Sequence, residues 1–290
     1  MIASIVGRPV SRATTKPADP LAVAGGLTAA TARELGLAAG TPVATGTYDT
    51  YVDVAGAGAR SPGDGCVLLG STLVACRVVE EAVEASGLEL SPYPGDGLLL
   101  GGWTTAGGAT LAWFTSQLGA VPDVAALEPG AGGLVALPYL AGERTPIRDP
   151  HARGLMLGLT LETTFAELYR SLVDGVALSA RDHVERLRDA GLLPDRWLTA
   201  GGGARHEAWL QATADALGSP LDVVAGAGDA VGPAHLALRS IGVEPTRPVE
   251  RRVEPDPERT GRFDELYAVY RNLHPPLAGS MRRLEELAPR

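Results

Sequence analysis

Three glycine turns and one aspartate carry the groups in this sequence that could handle a phosphorylated ligand. Residues 198–218 read LTAGGGARHEAWLQATADALG. A strand ends there, Gly201, Gly202 and Gly203 let the backbone approach a flat or anionic ligand, and a helix is expected to begin at once with its N-terminal amides forward. Nucleotide binding suits that arrangement, although a glycine triplet at a strand–helix junction also serves as a plain tight turn. Gly70-Ser71-Thr72 is a second place where hydroxyls and bare amides could meet a phosphate, or else a simple hairpin turn. Gly107-Gly108, ahead of a helix at Ala109, is a third. Each follows a predicted strand, and the three together say more than any one. Asp49 comes just after a short predicted strand and Gly46, a junction from which a side chain can be aimed into a cleft. Taken alone, such an aspartate reads as a turn or helix-cap residue.

These residues need a scaffold, and the apolar periodicity supplies one of α/β type. Thr28 to Leu35 reads as a short helix stopped by Gly36, and Pro42 to Thr45 as a strand. Cys66 to Glu80 reads as two strands turning at Gly70-Ser71, with Cys66 and Cys76 as small hydrophobes on neighbouring strands. A strand follows at Leu98 to Trp103, a helix from Gly107 to Leu118, and a buried strand over residues 134–140. The longest helix runs from Thr164 to Ala190. It opens on a capping box of Thr164 and Glu167 and buries Phe165, Leu168, Leu172, Val176, Ala180, Val184 and Leu187. Strands at 197–200 and 221–225 alternate with helices at 206–217 and 230–239, the last capped by Asp229. That βαβα unit predicts a right-handed crossover and a locally parallel sheet. Residues 262–286 read as helical with a break at Pro275-Pro276, and the first twenty-five residues read as irregular.

Composition removes several alternatives. The chain has 290 residues, 45% hydrophobic and 20% charged, which suits a folded globular domain. A net charge of −9 and the absence of a Lys/Arg cluster argue against nucleic-acid and anionic-membrane partners. Lys16 is the sole lysine, so a P-loop NTPase has no suitable phosphate-binding lysine. His151, His183, His206, His235 and His274 lack metal-ligand spacing and read as structural or surface residues, with no metal site. A Rossmann dehydrogenase fails because GGGARHEAW comes late and lacks Gly-x-Gly-x-x-Gly with a following ribose-binding acid. No run reaches the ~20 apolar residues of a membrane span and the start lacks an apolar targeting core, so a cytoplasmic location is expected.

Longer stretches carry a family resemblance. LPYLAGERTPIRDPHARGLMLGLTLETTFAELYRSLVDGVA resembles the long signature of xylulokinase-like FGGY carbohydrate kinases, and TAGGGARHEAWLQATADALGSPLDV resembles their adenosine-binding motif. GLTAATARELGLAAGTPVATGTYDTYVDVAGAG is similar to the stretch where that family's Gly-x-x-Asp supplies the catalytic aspartate. The matches keep the family order over about residues 25–243. The resemblance implies an actin-like, ribonuclease-H-like α/β fold with a mixed sheet flanked by helices. It implies ATP, with Mg2+ accompanying it, as phosphate donor to a sugar hydroxyl, a ketopentose such as xylulose being the expected acceptor. It makes Asp49 the general base, gives Gly70, Ser71 and Thr72 to the phosphates, and gives Gly108, Gly202 and Gly203 to the nucleotide. Asp53 is expected on the exposed face of the following helix, without a role. The family's Gly-Thr-Ser appears as Gly70-Ser71-Thr72, and its later Gly-Ala-Ala as Gly232-Pro233-Ala234, where proline suits a first helical turn. Glu143 and Arg144 resemble a feature near the domain interface, a structural ion pair being an equal reading.

The resemblance divides the chain into a remnant of the sugar-binding domain over 1–60, a nucleotide-binding domain over 61–245 and a helical tail over 246–290. It also implies a longer protein, whose first half carries a phosphate-contacting turn and most of the sugar pocket. Phosphoryl transfer needs the γ-phosphate held from both sides of a cleft. The chain is therefore expected to need a separate N-terminal kinase half or a homodimer partner. The alternative is a catalytically inactive nucleotide-binding regulatory module on the same fold.

Overall fold

The computed structural model describes residues 19–95, 97–119, 121–225 and 231–288. Its centre is a seven-stranded mixed sheet. The first two of its strands form a hairpin, β3 (Asp64–Leu69) and β4 (Leu73–Val79), turning through Gly70-Ser71-Thr72 as the sequence predicts. Cys66 stands directly opposite Cys76 in that register, and both are buried free thiols, as expected of small hydrophobes. β6 (Leu98–Thr104) continues antiparallel beside β4, and β5 (Glu89–Pro92) closes that edge. On the other side β9 (Arg196–Ala200) and β10 (Leu221–Val224) run parallel to β3, as the βαβ pattern requires. β11 (Val249–Val253) ends the sheet antiparallel to β10.

Period-two alternation divides the sheet's side chains between two cores. Val67, Leu69, Leu73, Ala75, Leu100 and Trp197 join one apolar cluster, while Cys66, Leu68, Val74, Cys76, Trp103 and Leu198 join the other. The first cluster is covered by a 25-residue helix, α4 (Phe165–Asp189), whose capping box of Thr164 and Glu167 is formed. Its apolar stripe is buried from Leu172 to Leu187, but Phe165, in the first turn, is 65% exposed rather than core. α5 (Glu207–Leu217) lies beside it. α7 (Pro257–Tyr270) and α8 (His274–Leu287) add Phe263, Tyr267, Tyr270 and Met281 to the same core. α4 also carries a buried ion pair: Arg170 Nε lies 2.8 Å from Asp174 Oδ1, while Asp174 Oδ2 accepts from Gly130 N–H and Arg170 Nη1 donates to Leu127 O. These bonds pin the loop near residues 124–130 to the helix.

The second face is covered by α2 (Asp49–Ala57), whose Val54, Ala55 and Ala57 are buried against the sheet. α2 crosses α6 (Val231–Ser240) at glycines: a Cβ on Gly56 would sit 2.6 Å from Gly232 Cα. That backbone contact sets where the start of α2 stands relative to the sheet.

Several expectations are corrected. Val23–Gly26, within the stretch expected to be irregular, is a strand (β1) pairing antiparallel with β2 (Pro42–Ala44), the two joined through α1 (Ala29–Leu35). Residues 1–18 and the Asp229 cap lie outside the described residues. The strand expected over 134–140 shortens to β7 (Val135–Leu137), since Pro138 lacks an N–H for a ladder, and it pairs with β8 (Leu155–Leu157) in a separate two-stranded sheet. The helical tail breaks at residues 271–273, and Pro275 and Pro276 start α8, where proline costs no helical hydrogen bond. Among the described residues no helix is long and apolar enough to cross a membrane.

Candidate active site

The β3–β4 turn, the loop after β9 and the start of α2 converge on one cleft at the carboxyl ends of β3 and β9. A cavity of about 340 Å³ there is lined by Asp49, Gly70, Ser71, Thr72, Gly202 and Arg247, among others. The structure thus brings five of the seven sequence-predicted site residues to one wall-to-wall space. Asp49 is the first residue of α2, where the helix dipole favours a carboxylate, and its Oδ1 accepts from Thr50 N–H at 2.6 Å. Asp49 is exposed and lines this cleft. Ser71 and Thr72 are exposed as well, and their hydroxyls have no hydrogen-bond partner among the described residues. Asp53, one turn along α2, is exposed as expected but lines the same cavity as Asp49.

A second cavity, about 540 Å³, shares Gly70, Ser71 and Gly202 with the first and adds Gly108, Gly203, Tyr169, His206 and Trp209. It holds the two remaining predicted residues. Gly108 opens α3 (Gly108–Leu118), but its N–H donates to Gly70 O at 2.9 Å and Ala109 N–H to Ser71 O at 3.0 Å. Those amides brace the hairpin turn, so Gly108 offers a bare Cα surface and not an amide donor. The expectation that a helix starts directly on the glycine triplet is also corrected. A 3-10 turn over Gly202–Arg205 intervenes, and α5 begins at Glu207 with His206 as its N-cap. Gly201 adopts φ 101° and ψ 166°, a conformation open to glycine alone, and a Cβ on it would meet Leu69 O at 2.5 Å.

Three side chains at the cleft carried no signal in the sequence. Arg247 Nη1 donates to Gly56 O at 2.8 Å and Nη2 to Ala225 O, which places a cation beside the first cavity and ties α2 to the end of β10. His206, expected to be structural or surface, lines the second cavity and binds Tyr169 Oη through Nε2 at 2.9 Å. Tyr169 stacks on Phe114, ring centroids 5.8 Å apart, and burial pushes its phenol up from the ordinary range. Tyr169 has no reading of its own in the sequence, and the spacing of residues 169 and 206 cannot announce a contact between them.

Glu143 and Arg144 are not an ion pair. Glu143 is buried, accepts from Thr104 Oγ1, Thr105 N–H and Arg144 N–H, and burial raises its carboxyl above the usual range. Arg144 contributes its backbone, and the cluster shapes the loop after β6. His183 is buried between Ser179 O and Thr145, as a structural histidine should be, and burial lowers its pKa. Among the described residues no group of three or more His, Cys, Asp or Glu side chains could hold a metal ion. The oxygens that line the first cavity, from Asp49, Asp53, Ser71 and Thr72, are the hard donor type that suits a magnesium ion arriving on a nucleotide.

The mixed sheet flanked by helices, with its ligand cleft at the strand ends, defines an α/β domain of the actin-like ATPase class. Comparison with known proteins makes the class narrower. Residues 61–241 match the model of the "FGGY family of carbohydrate kinases, C-terminal domain", and the chain belongs to that family. It is 30% identical to a ribulokinase of Mycolicibacterium smegmatis, over 87% of this chain and 50% of that protein. It is 29% identical to a xylulose kinase of Staphylococcus epidermidis, over 86% of this chain and 54% of that protein. The crystal structure of xylulose kinase from Rhodospirillum rubrum superposes with a TM-score of 0.80 at 30% identity, covering 96% of this chain and 60% of that one. The chain spans about half the length of the curated relatives it matches.

Proposed function

We propose that the chain is the nucleotide-binding part of an ATP-dependent carbohydrate kinase, with Asp49 as general base and a ketopentose such as xylulose as acceptor. The observation that carries this reading is the single cleft that Asp49 lines together with Ser71, Thr72 and Gly202. ATP lies with its adenosine in the larger cavity against Gly108, Gly202 and Gly203, and with its phosphates, carrying magnesium, over the β3–β4 turn. The Asp49 carboxylate accepts the proton of the sugar hydroxyl as that oxygen attacks the γ-phosphate. A positioned base of this kind contributes about 10²–10⁴ in rate. Arg247 adds positive potential beside the transferring group. The ketopentose assignment is supported by the ribulokinase and xylulose kinase names of the relatives. The other wall of the sugar pocket belongs, in this reading, to the part of the relatives that this chain does not match.

The test is ADP release by the purified chain with Mg-ATP and a panel of pentuloses, hexuloses and polyols, alone and mixed with the N-terminal half of a relative, beside Asp49→Asn. Sugar-dependent turnover, strongest with a ketopentose and lost in Asp49→Asn, is the expected result. ATP binding without turnover under every condition would favour a nucleotide-binding regulatory module instead.

A further inference from the structure

We propose that the Tyr169 hydroxyl, aimed by His206, is a hydrogen-bond donor that reads an acceptor atom on the purine ring of the bound nucleotide. The inference rests on the nucleotide reading of the cleft given above and concerns which group selects the base.

Proton accounting carries the argument. His206 is the N-cap of α5, and its Nδ1 accepts the Trp209 N–H at 3.2 Å. A hydrogen on Nδ1 would point straight at that N–H, so the neutral ring carries its proton on Nε2. Nε2 lies 2.9 Å from Tyr169 Oη, and in this tautomer it is the donor and the phenol oxygen the acceptor. The phenol's own proton is then directed elsewhere, and no acceptor for it stands among the described residues. Tyr169 lines the larger cavity while exposing only 1% of its surface, so it meets that space along a narrow edge, and burial raises its phenol above the ordinary range. A buried donor without a partner costs free energy unless a ligand supplies the acceptor.

The surroundings say which ligand atom that is. Tyr169 and His206 line the larger cavity together with Leu111, Gly203 and Trp209, an apolar slot with bare glycine on one side. Such a slot accepts a flat ring and leaves the phenol as the polar group at its edge. The ring is held by stacking on Phe114, with planes inclined by 28°, so the hydroxyl has little freedom to turn away. A donor at this place favours a purine presenting a ring nitrogen or carbonyl acceptor over a base that presents an N–H. His206 touches no ligand atom in this scheme. It is a positioning residue that spends the phenol's lone pair and thereby points its proton into the slot.

The experiment is equilibrium binding of ATP, 1-deaza-ATP, 3-deaza-ATP and 7-deaza-ATP to the full chain, read by intrinsic tryptophan fluorescence, in wild type, Tyr169→Phe and His206→Asn. A hydrogen bond of ordinary strength predicts that Tyr169→Phe, which keeps the stacked ring, weakens ATP about three- to ten-fold. One deaza analogue, the one lacking the acceptor that is read, should bind wild type weaker by the same factor and lose nothing further in Tyr169→Phe. His206→Asn retains a capping oxygen but no reach to Tyr169, and should weaken ATP while abolishing discrimination between ATP and that analogue. If wild type binds all three analogues as tightly as ATP, or if Tyr169→Phe binds ATP unchanged, the inference is overturned and the nucleotide reading stands. If wild type binds no ATP at all, the nucleotide reading falls and the inference with it.

Discussion

The glycine triplet offers the sharpest separation of folding from ligand binding, because each member meets different surroundings. Gly201 combines φ 101° with a Cβ position 2.5 Å from Leu69 O on the neighbouring strand. Alanine there carries about 1–3 kcal/mol of backbone strain and about 1–3 kcal/mol for pushing the Leu69 carbonyl aside. Together these predict a loss of about 4 kcal/mol, or roughly 10 °C in Tm for a chain of this size. Gly202 has nothing nearer than Arg205 Nη2 at 3.5 Å, an ordinary contact, and lines both cavities. Gly202→Ala should therefore melt within about 0.5 kcal/mol of wild type yet bind ATP on the order of ten-fold or more weakly, because its methyl stands where the ligand must lie. Gly203→Ala would place Cβ 2.1 Å from the buried Trp209 ring, so it should lose about 1–3 kcal/mol of stability and disturb the slot as well. Differential scanning fluorimetry and ATP titration on the three variants check the set. A Gly202→Ala chain with wild-type ATP affinity would remove Gly202 from the site, and a Gly201→Ala chain melting with wild type would refute the packing argument.

Three further outcomes follow from the packing. Gly56→Ala should cost about 1–2 kcal/mol, the overlap with Gly232 Cα at 2.6 Å, a backbone atom, outweighing the roughly 1 kcal/mol that alanine's helix propensity gains. It should also lower sugar phosphorylation by the reconstituted enzyme on the order of 10²-fold, by moving Asp49 about 1 Å; unchanged kcat with a normal melt would contradict it. Arg170→Met strands the buried Asp174, whose carboxyl burial already pushes up to about 6, and should cost about 3–5 kcal/mol near neutral pH. A folded-state pKa above the unfolded one means stability is present below about pH 4 and lost as pH rises through about 6. Urea melts should therefore show the variant's deficit shrinking toward pH 5. Thr164→Ala removes an exposed capping box and should cost about 1 kcal/mol by the same melts.

How much of this was legible in the sequence depended on whether a feature is written in neighbouring residues or across the fold. The hairpin at Gly70, the capping box at Thr164 and the parallel pair β9–β10 obey local rules of turn chemistry, capping and periodicity, and all appear where those rules put them. The strand at Val23–Gly26 was hidden because VAGG has little β-propensity, and its pairing with residues 42–44 is a tertiary choice. The same division holds at the cleft. Glycines and the aspartate stand out in sequence through the family motifs that hold them, whereas His206, Tyr169 and Arg247 acquire meaning only from what they touch.

The amides were where local reasoning misled. A helix start after glycines advertises free N–H groups, but here the first amides of α3 are spent on Gly70 O and Ser71 O, and Trp209 N–H on His206. The cleft therefore offers a phosphate mainly the exposed Ser71 and Thr72 hydroxyls, bare glycine backbone and the charge of Arg247. A γ-phosphate needs charge compensation to reach the transition state, and Arg247, bonded to Gly56 O of the helix that Asp49 opens, is the cation among the described residues lining the first cavity. Under the proposed kinase reading, the remaining charge and the sugar contacts fall to the part of the relatives that this chain does not match, so turnover in mixed halves, beside ATP binding by this chain alone, is the discriminating measurement.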